Sequence, residues 1–159
     1  MKSIVVSTCF SLILTLSGCT ERNFYSFWVE NNSDYDIVFH YKIFEAQHTY
    51  PDTLFSIEYP NFVIKAHSTD KHNYWAERLE TYIEKMPRDT LSVFFFHADT
   101  LDKYPKEIIQ RDYKILQRYD LSSQDIITLR NKHGNLSIIP YPPDERMKDM
   151  KMYPPYGSE

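Results

Sequence analysis

The chain has 159 residues, 42% of them hydrophobic and 16% aromatic, and a formal net charge of −4. That is enough apolar material for one globular domain with a real core, and it excludes a disordered chain. Basic side chains are interspersed among more numerous acidic ones, which excludes the concentrated positive footprint that binds a nucleic-acid backbone.

The first eighteen residues form a separate object. Lys2 supplies a positive start, Ile4 to Leu16 is an apolar run too short for a permanent bilayer span, and the small Ser17 and Gly18 follow, which together read as an export signal. Its end, Leu16-Ser17-Gly18-Cys19, resembles the lipobox of bacterial lipoproteins. That resemblance implies that residues 1–18 are removed, that Cys19 receives a diacylglyceryl group and an acylated amino terminus carrying palmitate-type chains, and that residues 19–23 are a lipidated tether. Several acyl chains at ~0.8 kcal/mol per buried methylene hold a domain stably on a bilayer, where a single chain is marginal. The implied location is the cell envelope, anchored to the outer membrane, with the domain in the periplasm or on the cell surface. Cys9 leaves with the signal, so the mature chain has one Cys and no internal disulfide.

Phe24 to Val29 reads as a first strand and Ile37 to Phe44 as a second, with Asn31-Asn32-Ser33-Asp34 supplying turn chemistry between them. A hairpin is the expectation. Asn31-Asn32-Ser33 also matches the N-glycosylation sequon, but in a bacterial lipoprotein the turn is the better reading. Thr53 to Ile57, between Pro51 and Pro60, is a short edge strand or an irregular loop, and Phe62-Val63-Ile64 is another brief strand that ends in the polar run His67 to Asn73. Trp75, Leu79, Tyr82, Ile83 and Met86 fall at helical spacing and predict a helix over 74–86 that covers the sheet and stops at Pro87.

Leu91-Ser92-Val93-Phe94-Phe95-Phe96 is the central strand; its lack of alternation predicts cover on both faces. Asp99 or Thr100 then caps a turn, and Pro105 takes the first position of a short helix through Ile108 and Ile109. Ile115 to Tyr119 is the next strand. Ser122 and Asp125 form a capping box for a brief helix through Leu129, and Leu136 to Ile139 is the last strand. The Tyr-Pro-Pro triplets at 141–143 and 153–155 favour extended polyproline conformation, so residues 144–159, with Met147, Met150 and Met152, read as a disordered tail behind a globular domain of 24–143.

Candidate chemistry gathers at the end of the central strand. His97-Ala98-Asp99-Thr100 superficially resembles the phosphatase loop of haloacid dehalogenases, but His97 stands where that family has its nucleophilic Asp. His97, Asp99 and Asp102 are ligand types that zinc accepts, with His67 and His72 in the preceding polar run, although their spacing matches no tight motif. There is no Ser elbow, Gly-rich phosphate cradle or Cys-His pair, so no catalytic residue and no cofactor is assigned. Asp-Thr-Leu occurs at 52–54, 89–91 and 99–101 and resembles the acceptor signal for protein O-glycosylation in Bacteroidota, which implies sugars on Thr53, Thr90 and Thr100.

The Asn-Asn-Ser-Asp turn, Tyr50-Pro51-Asp52-Thr53, Phe94 through Leu101, Lys114 through Ser122 and Ile139-Pro140-Tyr141-Pro142-Pro143 together resemble a group of small, functionally unassigned Bacteroides-type lipoproteins. The resemblance spans most of the mature chain and carries localisation but no activity. The expected fold is mainly β, a small sandwich of immunoglobulin-like character with one covering helix and two short ones; the alternative is an α+β domain with a single sheet backed by the 74–86 helix. The expected function is that of a membrane-anchored binding or structural module with an envelope protein or glycan as partner and no nucleic acid. The alternative is a hydrolase or metal-dependent enzyme working at His97 and Asp99.

Overall fold

The run at 91–96 becomes a strand buried on both faces, and the rest of the molecule is layered on it. The computed structural model of the protein describes residues 25–41, 62–74, 78–133 and 136–158. In these residues eight strands are formed, β1 (Tyr25–Asn31), β2 (Ile37–Tyr41), β3 (Phe62–Ile64), β4 (Ser68–Tyr74), β5 (Leu91–His97), β6 (Gln117–Leu121), β7 (Ser137–Tyr141) and β8 (Met152–Tyr153). Four short helices join them, α1 (Leu79–Ile83), α2 (Ala98–Lys103), α3 (Lys106–Arg111) and α4 (Ser123–Thr128). The strands make two sheets, one ordered β4-β1-β7 and the other β3-β2-β5-β6-β8, with β5 at the centre of the larger. The domain is therefore mainly β and two-layered, and not a single sheet backed by a helix.

On one face of β5, Leu91, Val93 and Phe95 pack against Phe27, Val29, Ile139 and Tyr141 of the smaller sheet, which forms the sandwich core. On the other, Phe94 and Phe96 meet Val38 and Ile109 beneath Ala98, Leu101 and Tyr104 of the α2–α3 segment. Each of these fully buried aliphatic or aromatic side chains contributes about 1.5–3 kcal/mol of transfer free energy.

The first two strands are not a hairpin. β1 pairs antiparallel with β4 and parallel with β7, while β2 pairs with β3 and β5, so residues 32–36 carry the chain from one sheet to the other. The physical reason is Asn31, whose side chain is buried completely. Its Nδ2 donates to the carbonyls of Tyr35 (2.8 Å), Ile64 (3.2 Å) and Lys65 (3.1 Å), and its Oδ1 accepts from the backbone N–H (3.0 Å) and hydroxyl (2.6 Å) of Ser33. An amide held inside the core cannot accept a sugar.

Three further expectations are corrected. The polar run 68–74 is a strand, β4, because all seven of its residues pair with β1; charged and polar side chains suit such an edge position. The turn into it passes through His67 at φ +52°, a left-handed position that His adopts more readily than most residues. Among the described residues the helix expected over 74–86 is α1 alone, whose Leu79 and Ile83 join Ile126 and Leu129 of the α4 segment in the core. Its carboxylate Glu80 pairs with Arg130, tying α1 to the end of α4. Cover for the large sheet comes instead from α2 and α3. Finally, residues 144–158 belong to the domain: Met147 is completely buried, β8 pairs with β6, and Gln117 Nε2 donates to the Pro154 carbonyl at 2.6 Å.

Locally legible caps fare differently. The Ser122–Asp125 capping box forms as expected, the Asp125 N–H donating to Ser122 Oγ (3.2 Å) and the Ser122 N–H to Asp125 Oδ2 (2.8 Å). The α2 cap is His97 rather than Asp99 or Thr100, and Pro105 stands at the cap of α3 rather than inside it. The signal segment, the tether with Cys19, Trp75 and the 45–60 segment with Thr53 lie outside the described residues. Among the described residues no helix is long and apolar enough to cross a membrane.

If Asn31 joins the two crossings as described, Asn31→Ala removes a buried donor set facing three carbonyls and destabilises the domain by about 2–3 kcal/mol. Asn31→Asp costs more, because it buries a carboxylate oxygen against those three carbonyl oxygens where Ala only leaves them unpaired. Urea unfolding of the purified variants measures both, and an Asp variant as stable as wild type would contradict this role.

Candidate functional site

The strand directions place β1 end, β2 start, β3 end, β5 end and β7 end together at one rim of the sandwich, the end where the register pairs Ile37 with His97 and Asn31 with Tyr141. His97 lies here, as the sequence suggests, but with partners that were not foreseen. Its ring stacks on Tyr35 at 4.8 Å between centroids and 27° between planes. The Tyr35 and Tyr141 hydroxyls share a hydrogen bond of 2.8 Å, and the Tyr141 ring stacks on Phe95 at 5.1 Å, so an aromatic ladder runs from the rim into the core. Such pairs add about 0.5–1.5 kcal/mol each beyond their buried area.

His97 Nδ1 accepts from the Asp99 N–H at 3.2 Å, and the Asp99 carboxylate stands 3.8 Å from the same nitrogen. That lone pair is therefore used to cap α2. Asp102 lies exposed further along α2, and among the described residues no group of three or more His, Cys, Asp or Glu side chains is arranged to hold a metal ion. His97, Asp99 and Asp102 are thus not drawn into one cluster. His67 instead meets Asp34 at 2.9 Å on the exposed rim, and His72 belongs to β4.

One acidic position of the rim escaped the sequence reading. Asp36 Oδ2 accepts from Lys65 Nζ at 2.7 Å and Oδ1 from the Ala66 N–H at 3.1 Å, while the Asp36 carbonyl accepts from the Ala98 N–H at 3.0 Å. The hydrogen bond from Lys65, with that from Ala66, holds the Asp36 carboxyl below its ordinary value. Nothing local marks Asp36 in the sequence, since its partners are about thirty and sixty residues away. Of the Asp-Thr-Leu positions, Thr90 Oγ1 donates to the Arg88 carbonyl at 2.7 Å and Thr100 sits half-buried in the first turn of α2.

A second polar cluster lies on the outer face of the large sheet, at the border of the α2–α3 cover. The Asp120 carboxylate is completely buried, accepts from Ser92 Oγ at 2.9 Å and pairs with Arg118 Nη2 at 3.1 Å. Arg118 Nη1 donates to the Tyr113 hydroxyl at 2.7 Å. Tyr113 follows α3 at φ +49°, and the Tyr113 and Lys114 N–H groups bond back to Gln110 and Ile109, a helix ending that normally uses Gly. A tyrosine in that strained position costs about 1 kcal/mol. Its hydroxyl bond to Arg118 and its ring contact with Tyr153 at 5.6 Å offset that cost. Burial pushes the Tyr113 hydroxyl up, and it pushes the Tyr119 hydroxyl, which donates to the Pro140 carbonyl at 3.0 Å, well above the usual phenol range.

Chemically, the rim offers imidazole, phenol and carboxylate groups already engaged with one another, and the outer cluster a charge pair largely withdrawn from water. Both are arrangements that fix geometry, and neither presents a nucleophile beside a base. No protein-family model, no curated protein and no solved structure matches the chain significantly.

Removal of the Asp120 carboxylate by Asp120→Ala leaves Arg118 buried without its counter-ion and lowers stability by roughly 3 kcal/mol or more, measurable by thermal melts. Because the fold lowers the Asp36 pKa, the stability tied to its ionised form is present above the unfolded carboxylate value and is lost as pH falls through the folded one. Lys65→Ala removes the largest cause, so NMR titration should show Asp36 moving up toward an ordinary carboxylate.

Proposed function

We propose that the protein is a cell-envelope lipoprotein, held to a membrane through acylated Cys19, whose β-sandwich acts as a binding or structural module for an envelope protein or glycan. The observation that carries this reading is the Leu16-Ser17-Gly18-Cys19 sequence directly behind the Ile4–Leu16 apolar run, with only a handful of residues between Cys19 and β1. Acylation at that Cys supplies the anchor, and no membrane-spanning helix is required for it. The outer membrane, with the domain in the periplasm or at the cell surface, is the location this anchor implies.

The rim supports a binding role over an enzymatic one. His97, the side chain on which hydrolytic or metal chemistry would turn, spends Nδ1 on the α2 cap and its ring face on Tyr35. A group committed to holding its neighbours is poorly placed to shuttle protons. What the rim presents outward is a mixed surface of His67, Asp34, Lys65 and the edge of His97, suited to polar recognition.

Feeding producing cells a clickable fatty acid tests the anchor. The wild-type chain should carry the label and Cys19→Ala should lose it along with membrane association. An unlabelled wild-type chain, or full label on the variant, would overturn the proposal.

A further inference from the structure

The four helices are not held equally. α1, α3 and α4 each bury at least one side chain, whereas α2 buries none. Its Leu101 is half-buried against Phe94 and Phe96, which are enclosed almost completely beneath the α2–α3 segment. An element with so few buried contacts opens at a lower free energy than the core around it. Two bonds fix its first turn to the rim: the Ala98 N–H donates to the Asp36 carbonyl at 3.0 Å and the Asp99 N–H to His97 Nδ1 at 3.2 Å.

The second of these bonds depends on a proton. Among the described residues three side chains cap helical turns, Ser122 on α4, Asp144 on the 3-10 turn Glu145–Met147 and His97 on α2. Of those three side-chain types, imidazole is the one whose charge changes near neutral pH. Because Nδ1 accepts, the ring proton of the capped form is on Nε2. A proton taken up from water at Nδ1 turns that acceptor into a donor, and two N–H groups then face each other across the same gap. The Asp99 carboxylate, 3.8 Å from Nδ1, is at hand for the new N–H. Protonation therefore moves His97 from the Asp99 backbone to the Asp99 side chain and leaves the amide to water.

The other groups around the ring are engaged. From the 32–36 passage Tyr35 stacks on it, and Asp36, whose carboxylate feels the imidazole, is bonded to Lys65. Elsewhere on the rim His67 pairs with Asp34, ahead of β6 Lys114 pairs with Asp112, and after β7 Arg146 pairs with Asp144. Asp102 and Lys103 lie exposed further along α2. The carboxylates of Asp99 and Asp36 favour the imidazolium, while the partial positive charge of the α2 amides opposes it as long as the cap is closed.

We propose that His97 is a proton-operated latch on α2: neutral, it closes the helix over Phe94 and Phe96, and protonated, it releases the first turn, so that mild acid uncovers this apolar patch beside the rim. The latch involves only the rim and α2 and is independent of the Cys19 anchor. The capped form has no place for a proton on Nδ1, so its advantage over the open form is full while the imidazole is neutral and is lost as falling pH protonates it.

Amide hydrogen exchange in the full chain, followed by NMR from about pH 8 to about pH 5 and corrected for the intrinsic pH dependence of exchange, tests the latch. Protection of the Asp99 and Tyr104 amides, the latter bonded to the Thr100 carbonyl, should fall about fivefold or more on acidification, the size of a lost helix cap. Protection of the Asp125 amide, bonded to Ser122 Oγ, should stay level. His97→Asn supplies a capping side chain that does not titrate, and should keep α2 equally protected across the range. Unchanged α2 protection in the wild-type chain, a fall that Asp125 shares, or a fall that persists in His97→Asn overturns the proposal. The imidazole nitrogens give a readout that needs no variant: neutral His97 should carry its proton on Nε2, and a proton on Nδ1 instead overturns the cap and the latch with it.

Discussion

A single buried amide decides how the two layers of this sandwich are joined. Two short passages between the sheets lie at the rim, from β1 to β2 through residues 32–36 and from β3 to β4 through residues 65–67. Asn31 bonds to both passages, to Tyr35 in the first and to Ile64 and Lys65 in the second. Two N–H hydrogens serve three carbonyls, so one is shared, and Ser33 fills the oxygen. An unsatisfied amide in the core would cost what a lost hydrogen bond costs or more, whereas this one has every capacity met. Charge-assisted bonds of Lys65 and the Ala66 N–H to Asp36 reinforce the same junction from the solvent side.

With the layers joined at that corner, β5 supplies the packing. Its alternate residues feed two separate apolar clusters, and β2 and β6 flank it on either side. The helices serve this arrangement unequally. α2 and α3 lie over Phe94 and Phe96, and α1 with α4 closes the open end of the core. The polar cluster of Ser92, Arg118, Asp120 and Tyr113 sits where the helical cover gives out, and its internal bonds allow charge to remain buried there. The Tyr35–Tyr141–Phe95 ladder couples the rim to the same core, so the surface presented by the rim is held on a rigid support.

That division of labour bears on function. Polar groups that a sequence would nominate for chemistry, His97 foremost, are spent on caps, stacks and ion pairs. The rim is thereby a stiff surface at one end of the sandwich, its polar side chains engaged with one another.

The sequence by itself determined what depends on neighbours along the chain. The double-sided burial of β5 is read from an unbroken apolar stretch and the α4 capping box from two residues three apart, and the proposed export signal rests in the same way on a contiguous run. Tertiary structure decided whatever depends on a distant partner. β4 is polar throughout and becomes a strand only because β1 lends it a ladder. The Asn-Asn-Ser-Asp turn is compatible with a hairpin or with a crossing, and the buried amide selects the crossing. Met147 looks like one sticky residue in a charged, Pro-rich tail until a gap in the core accepts it. In the same way His97 is visible in the sequence as a residue at a strand end, but its role was set by Tyr35 and Asp99, and Asp36 gave no local sign at all. Pairing, burial and charge compensation act through space, and that is why they are written in no single window of the chain.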